Sequence, residues 1–331
     1  MRLSAIVGFG LLQQVDGALW QTAVQANEWD QLDASTGQVV ASKEVHSGAA
    51  TAQTKADVDR VAGVYYTLRL KEGFVAHIEL HGFDVASGKV VSEVKLPMLE
   101  RFSGSWAEGV WGVAVDDSPQ QGGAAAHVPR VLVVGPTGKK QMDPAHAVLA
   151  VYPLNGTVDT LATTDMRPIT ATATTFDAST RTFYTLYAKQ GTIETSVRGF
   201  DGGTGAVVYD RDITEYAAVY SLDATGDGAL FLLGLDFTDP PPPTEPEQFR
   251  NLLRLEPKTG ALVCVANFTD YKQNLPATAI DRQAGTLACM LVPQADFSAD
   301  LVTIDLANAS VVTAPQLCPQ YTTAPGTLGY V

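Results

Sequence analysis

Two short segments carry residues that could do chemistry. His77-Ile78-Glu79-Leu80-His81 sits in a stretch predicted to be a β-strand, where alternation puts His77, Glu79 and His81 on one face. Two neutral imidazoles and a carboxylate at that spacing have the donor set for a divalent metal such as zinc. The same pattern also describes the polar outer face of a strand. Asp223-Ala224-Thr225-Gly226-Asp227-Gly228 resembles the opening of a calcium loop, with oxygens at alternate positions before a glycine. The twelfth position is Gly234 rather than a bidentate glutamate, and the segment doubles as a turn of the repeat described below. Asp116-Asp117, Asp296 and Asp300 read as solvated carboxylates.

Catalytic motifs are otherwise absent. There is no G-x-S-x-G elbow, no phosphate-binding P-loop and no H-E-x-x-H. The five histidines, 46, 77, 81, 127 and 146, all fall in the first half. No residue is assigned a catalytic role, and no cofactor is expected beyond calcium. The three cysteines, Cys264, Cys289 and Cys318, have no zinc-site spacing; one disulfide among them would leave a thiol over.

The elements that must position these residues come from an internal repeat. Leu32-Asp33-Ala34-Ser35-Thr36-Gly37-Gln38-Val39-Val40 matches Phe83-Asp84-Val85-Ala86-Ser87-Gly88-Lys89-Val90-Val91 and Phe200-Asp201-Gly202-Gly203-Thr204-Gly205-Ala206-Val207-Val208. Variants run through Gly156, through Leu255-Glu256-Pro257-Lys258-Thr259-Gly260, and through Asp305 to Val312, where Ala309 replaces the glycine. The turn positions 37, 88, 156, 205, 260 and 309 are spaced by 51, 68, 49, 55 and 49 residues. Each unit reads as a hairpin: the Asp side chain bonds turn amides, Gly takes positive φ, and a Val pair opens the next strand.

A second hairpin type alternates with the first. Val58-Asp59-Arg60-Val61-Ala62-Gly63 parallels Ile280-Asp281-Arg282-Gln283-Ala284-Gly285; the segments at Asp177 and Asp223 share the form, and Val115-Asp116 begins an interrupted copy. Two hairpins per ~50 residues make four strands, and radial repetition of four-stranded sheets protects their edges. The expectation is an all-β β-propeller of about six blades, or seven if residues 98–160 hold an extra unit. No sustained 3.6-residue pattern predicts helix. Only about 15 residues would precede the Asp33 turn after leader removal, so the first blade is expected to borrow a strand from the C-terminus, around Thr327 to Val331, closing the ring with both termini.

The pattern Asp-x-x-Thr-Gly-x-Val-Val resembles the repeat of quinoprotein-like propellers, and more broadly sugar-lactone and surface-layer propellers. The resemblance covers most of the chain and implies the fold. Quinoprotein repeats place a Trp four residues after the turn glycine; here those positions are Ala41, Ser92, Tyr209 and Cys264. The resemblance therefore implies no quinone.

Composition restricts partners. Twenty-two basic against 36 acidic residues give a net charge of −14, which repels phosphate backbones and anionic lipid. Arg2 followed by the apolar stretch Leu3 to Leu12 and small residues at Gly17 and Ala18 reads as a secretory leader, residues 1–17; ten apolar residues are too few to span a ~30 Å hydrocarbon core. A buried first strand is the competing reading. Asn155-Gly156-Thr157, Asn267-Phe268-Thr269 and Asn308-Ala309-Ser310 are glycosylation triplets. The expectation is a secreted monomer in which residues 18–331 form one propeller, binding an unknown protein or small molecule at the channel face. The alternative is a calcium-dependent lactonase- or esterase-type hydrolase. Insertions at Gly135 to His146 and Asp236 to Phe249, the latter with Pro240 to Pro243 as a stiff arm, are assigned between second and third strands. Ser118 to Val128 is assigned to the opposite face.

Overall fold

The computed structural model describes residues 12–15, 18–23, 28–33, 35–36, 38–44, 56–71, 77–96, 112–116, 118, 128–137, 145–166, 174–188, 195–219, 221–236, 251–293 and 300–315. Among them there is no helix, as the missing 3.6-residue pattern predicts. Six antiparallel sheets follow one another along the chain. Blade 1 holds β1 (Leu12–Val15), β2 (Ala18–Ala23), β3 (Glu28–Leu32) and β4 (Val39–Glu44); blade 2 holds β5 (Asp57–Asp59), β6 (Val64–Lys71), β7 (His77–Asp84) and β8 (Val90–Lys95). Blade 3 holds β9 (Gly112–Asp116), β10 (Arg130–Pro136), β11 (Ala145–Tyr152) and β12 (Thr157–Asp165). Blade 4 holds β13 (Thr174–Asp177), β14 (Thr182–Ala188), β15 (Thr195–Asp201) and β16 (Val207–Ile213). Blade 5 has five strands, because its inner strand is split into β17 (Tyr216–Val219) and β18 (Asp223–Ala224), both paired with β19 (Leu230–Asp236); β20 (Asn251–Glu256) and β21 (Ala261–Asn267) complete it. Blade 6 holds β22 (Tyr271–Asp281), β23 (Thr286–Pro293), β24 (Asp300–Asp305) and β25 (Val311–Thr313).

The inner strands form the ring. β1 touches β5, β5 touches β9, β9 touches β13, β13 touches β18, β18 touches β22, and β22 returns to β1. Closure is thus by packing of the N-terminal strand against the last blade. Among the described residues, the four strands of blade 1 all come from residues 12–44. The innermost described strand of blade 1 is β1, with Val15 paired to Ala18. Residues 327–331 lie outside the described residues.

The core lies between blades. Val131 and Val133 on β10 pack with Leu68 and Leu80 of blade 2, while Leu132 beside them packs with Phe176, Phe183 and Phe200 of blade 4. Strands buried on both faces read as continuous apolar runs, which is why this stretch shows no alternation. The same arrangement continues through blades 4, 5 and 6, with Leu232 and Leu253 against Leu186 and Val197, and Leu233 and Leu252 against Leu287 and Val302.

The turn between third and fourth strands follows one code. Asp84 and Asp201 accept from the amides of Ser87 and Thr204, both at 2.7 Å, and Gly88 and Gly205 then donate back to the Asp carbonyls. The residue after the turn's Ser, Thr or Asn takes positive φ: 70° at Gly88, 72° at Gly156 and Gly205, 71° at Gly260 and 58° at Ala309. The turn between first and second strands is tied to it. Val85, Gly202 and Leu306 donate to the carbonyls of Gly63, Arg181 and Gly285, so the two hairpin types brace each other in blades 2, 4 and 6.

Candidate functional site

The inner strands carry polar residues where their flanks are apolar. Asp57 lies in β5 between buried Ala56 and Val58, Thr174 and Thr175 precede buried Phe176, and Thr278 precedes buried Ala279 and Ile280. Each reaches the next blade. Asp57 Oδ1 accepts from the Val58 amide at 2.8 Å, and its Oδ2 from the Val115 amide of blade 3, also at 2.8 Å. Thr174 donates to the Val113 carbonyl at 3.0 Å, and Thr175 accepts from the Ala224 amide at 3.0 Å. Thr278 donates to the carboxylate of Asp223. Blades 3 and 4 come so close here that a Cβ at Gly112 would lie 2.0 Å from Thr174 Cγ2, which explains the glycine.

Two turn arginines close one mouth. Arg282 sends Nε to the Ala224 carbonyl (3.2 Å) and a terminal nitrogen to the Phe176 carbonyl (2.9 Å), joining blade 6 to blades 5 and 4. Arg60, from blade 2, donates to the Ile280 carbonyl of blade 6 at 3.2 Å. Gly226, at φ 90°, lies against the Arg282 stem. Under these guanidinium groups is a cavity of about 30 Å³, lined by Asp57, Thr174, Thr175, Asp223, Thr278 and the two arginines among others. That volume holds roughly two water molecules. The arrangement presents two carboxylates and three hydroxyls to water or a small ion, and most of their oxygens already bond a neighbouring blade.

Asp223 is therefore placed differently from the repeat alignment. It stands two residues before the turn, in the register of Asp57, and Thr225 occupies the turn position, its amide bonded to the Ala229 carbonyl. Asp227 is the turn carboxylate: the Thr225 hydroxyl, then the Ala229 amide, hold it below the usual carboxylate range. Thr204 does the same for Asp201, and Ser35 for Asp33.

Glu79 and His81 do meet. His81 Nε2 is 2.9 Å from Glu79 Oε2, both residues are buried, and Glu93 of β8 stands 3.8 Å from Nδ1. They lie on the third strand of blade 2, away from the channel. His77 begins that strand, and its side chain lies outside the described residues. No group of three or more His, Cys, Asp or Glu able to hold a metal occurs among the described residues.

Cys264 is exposed on β21, while Cys289 is buried in β23, where loss of water pushes its thiol up to about 12. They are not bonded to each other, and Cys318 lies outside the described residues. Asn155, Asn267 and Asn308 are all exposed. The insertions fall where the strand count assigns them. Residues 137–144 and 237–250 join second to third strands of blades 3 and 5; residues 117–129 join β9 to β10 on the opposite face. Most of each insertion, including Pro240 to Pro243, lies outside the described residues. No helix among the described residues is long and apolar enough to cross a membrane.

Sequence reasoning missed Asp57, Thr174, Thr175 and Thr278 as a set. The available signal was a polar residue two or three positions before the turn in an otherwise apolar inner strand.

Six radial sheets around a polar axis define a β-propeller. No protein-family profile matches the chain, and no curated protein matches it in sequence. Solved structures share the fold. Hydrazine synthase from Kuenenia stuttgartiensis aligns with a TM-score of 0.57 at 14% identity, over 91% of this chain and 80% of that one. A nidogen/laminin complex aligns at 0.55 with 11% identity, over 95% of both chains. A variant of Synechocystis apocarotenoid oxygenase aligns at 0.53 with 10% identity, over 94% of this chain and 72% of that one. At such identities the likeness is one of fold.

Proposed function

We propose that the chain is a secreted, monomeric propeller that binds a protein or small-molecule partner on the mouth bearing the strand 2–3 insertions. The observation that carries this reading is the bracing of the opposite mouth by two arginines. Arg60 and Arg282 are bonded to blade carbonyls there, over a cavity with room for roughly two waters. An organic substrate has no place in that cavity, whereas residues 137–144 and 237–250 both belong to the other mouth. The net charge of −14 favours partners other than nucleic acid. The fold is shared with a chain of a nidogen/laminin complex, which supports a binding role by analogy of fold only.

One observation favours the hydrolase reading: Asp57 and Asp223 both face the axis. Calcium titration followed by melting separates the two. Binding without catalysis predicts no change in melting temperature at millimolar calcium and no turnover of lactones or aryl esters. A tight ion would add about 2.7 kcal/mol at a hundredfold excess over its Kd. A rise of several degrees that Asp57→Asn and Asp223→Asn abolish would overturn the binding reading. Replacing residues 237–250 with a two-residue turn should leave melting unchanged and remove a partner retained by the unaltered chain; equal retention by both would move the site elsewhere.

A further inference from the structure

The six turns between third and fourth strands need one acceptor oxygen at the residue before the positive-φ position. In four blades a hydroxyl supplies it: Thr36, Ser87, Thr204 and Thr259 accept from the amides of Gln38, Lys89, Ala206 and Ala261 at 3.4, 3.4, 3.3 and 3.2 Å. In blades 3 and 6 an asparagine does the same work. Asn155 Oδ1 accepts from the Thr157 amide and Asn308 Oδ1 from the Ser310 amide, both at 2.9 Å. The fold is satisfied by Ser or Thr, so it does not demand asparagine here. It demands no hydroxyl two residues later either, since the other four blades place Gln, Lys, Ala and Ala there. The two departures occur together, in the same two blades, and together they spell Asn-x-Ser/Thr.

We propose that Asn155 and Asn308 are N-glycosylated, an inference that rests on the secretion reading. Both asparagines and both hydroxyl residues are exposed. The Oδ1 atoms are engaged by the turn, which leaves the carboxamide nitrogens to react. Asn308 Nδ2 donates to Asp305 Oδ2 at 3.3 Å, a bond that the one N–H remaining after glycosylation can still make. In the reaction, Nδ2 bonds to the anomeric carbon of a polyprenyl-diphosphate-linked oligosaccharide. The anomeric C–O bond breaks, polyprenyl diphosphate leaves, and the amide loses one proton. Blades 3 and 6 stand opposite each other in the ring, so the sugars would flank the arginine-closed mouth from two sides and leave the insertion-bearing mouth open. Asn267 carries no such argument: it ends β21, and Phe268 after it is buried.

The test is secretion of the full chain from a eukaryotic host behind a heterologous leader, so that delivery does not depend on residues 1–17. Enzymatic deglycosylation in heavy-oxygen water then marks each occupied asparagine as labelled aspartate for mass spectrometry. Label at Asn155 and Asn308 is expected. Asn155→Thr and Asn308→Thr, which install the residue used by other blades, should each remove one glycan and leave the melting temperature of deglycosylated protein unchanged. Folded, secreted protein with neither asparagine labelled overturns the proposal. Retention in the cell of a chain carrying only its own N-terminus would instead overturn the secretion reading.

Discussion

The axis and the rim of this propeller are built by opposite rules. At the rim, the turns between third and fourth strands repeat one hydrogen-bond pattern, and the strands after them expose a Val pair, Val207 and Val208 being 52% and 57% exposed. Around the axis, the described turns between first and second strands share an aspartate turn in blades 2, 4 and 6 but differ in the side chains they send across the mouth. Blades 2 and 6 carry Asp-Arg, with the arginine across the mouth. Blade 3 pairs Asp116 with Arg130 at 2.5 Å and inserts residues 117–129. Blade 4 uses Arg181 in the left-handed region at φ 54° where blades 2 and 6 have glycine, and blade 5 replaces the aspartate with Thr225. A rim turn closes its hydrogen bonds within its own blade, so one solution recurs from blade to blade. An axial turn meets several blades at different angles, so each must be solved separately. Repetition marks the scaffold, and its loss marks the place where residues can differ for function.

The largest test of that division removes residues 1–17. If the axis holds the ring together, loss of β1 takes away one of six inner strands and its contacts with both β5 and β22. Four residues of ordered strand are worth several kcal/mol, so melting should fall on the order of 10 °C. Scanning calorimetry of the two forms decides it. Unchanged melting would show that blade 1 does without β1, as the leader reading of residues 1–17 requires; the expected fall would keep residues 12–15 in the mature fold and take that leader away from the secretion proposal.

A smaller effect compares one residue from each region. Arg282→Met keeps the stem against Gly226 but strips charged donors from two carbonyls in two other blades. Bonds to a charged group are worth about 1.5–3 kcal/mol, so a loss of about 2–3 kcal/mol in urea unfolding is expected. Thr259→Ala removes two long, exposed turn bonds at the rim and should cost less than about 1 kcal/mol. Equal losses would erase the distinction between axis and rim.

The rim was legible because its code is local. Asp84, Ser87 and Gly88 bond among themselves, and a reader of the chain sees all three within five positions. The four-strand blade and the count of six follow from that spacing. The axis was not legible, because its partners are remote. Arg282 and Phe176 are 106 residues apart, Thr278 and Asp223 are 55 apart, and no local pattern joins them. Asp223 shows the failure most clearly. Its neighbours imitate the turn motif, but the split inner strand of blade 5 moves it two positions back and aims it at the channel. The strand at Leu12–Val15 was hidden for another reason. It overlaps the end of the stretch that reads as a leader, and its pairing to Ala18–Ala23 shows only in three dimensions.

The smallest effect tests the rim code where it is broken. Ala309 takes φ 58° at a position where Gly88, Gly156, Gly205 and Gly260 take 70–72°. A left-handed residue with a Cβ costs about 1–2 kcal/mol. Ala309→Gly removes that cost, and the freer unfolded chain returns roughly half of it. The expected net gain is about 0.5–1 kcal/mol, a rise of about 1 °C in melting temperature for a chain of this length, with the Asn308 triplet left intact. Gly205→Ala is the converse and should lose more than Ala309→Gly gains, because the new Cβ would lie 2.6 Å from the Leu161 backbone as well as adopting φ 72°. If Ala309→Gly instead destabilises, the sixth turn does not share the geometry of the others. The rim would then be less uniform than its hydrogen bonds imply, and the contrast with the axis would narrow to the arginines alone.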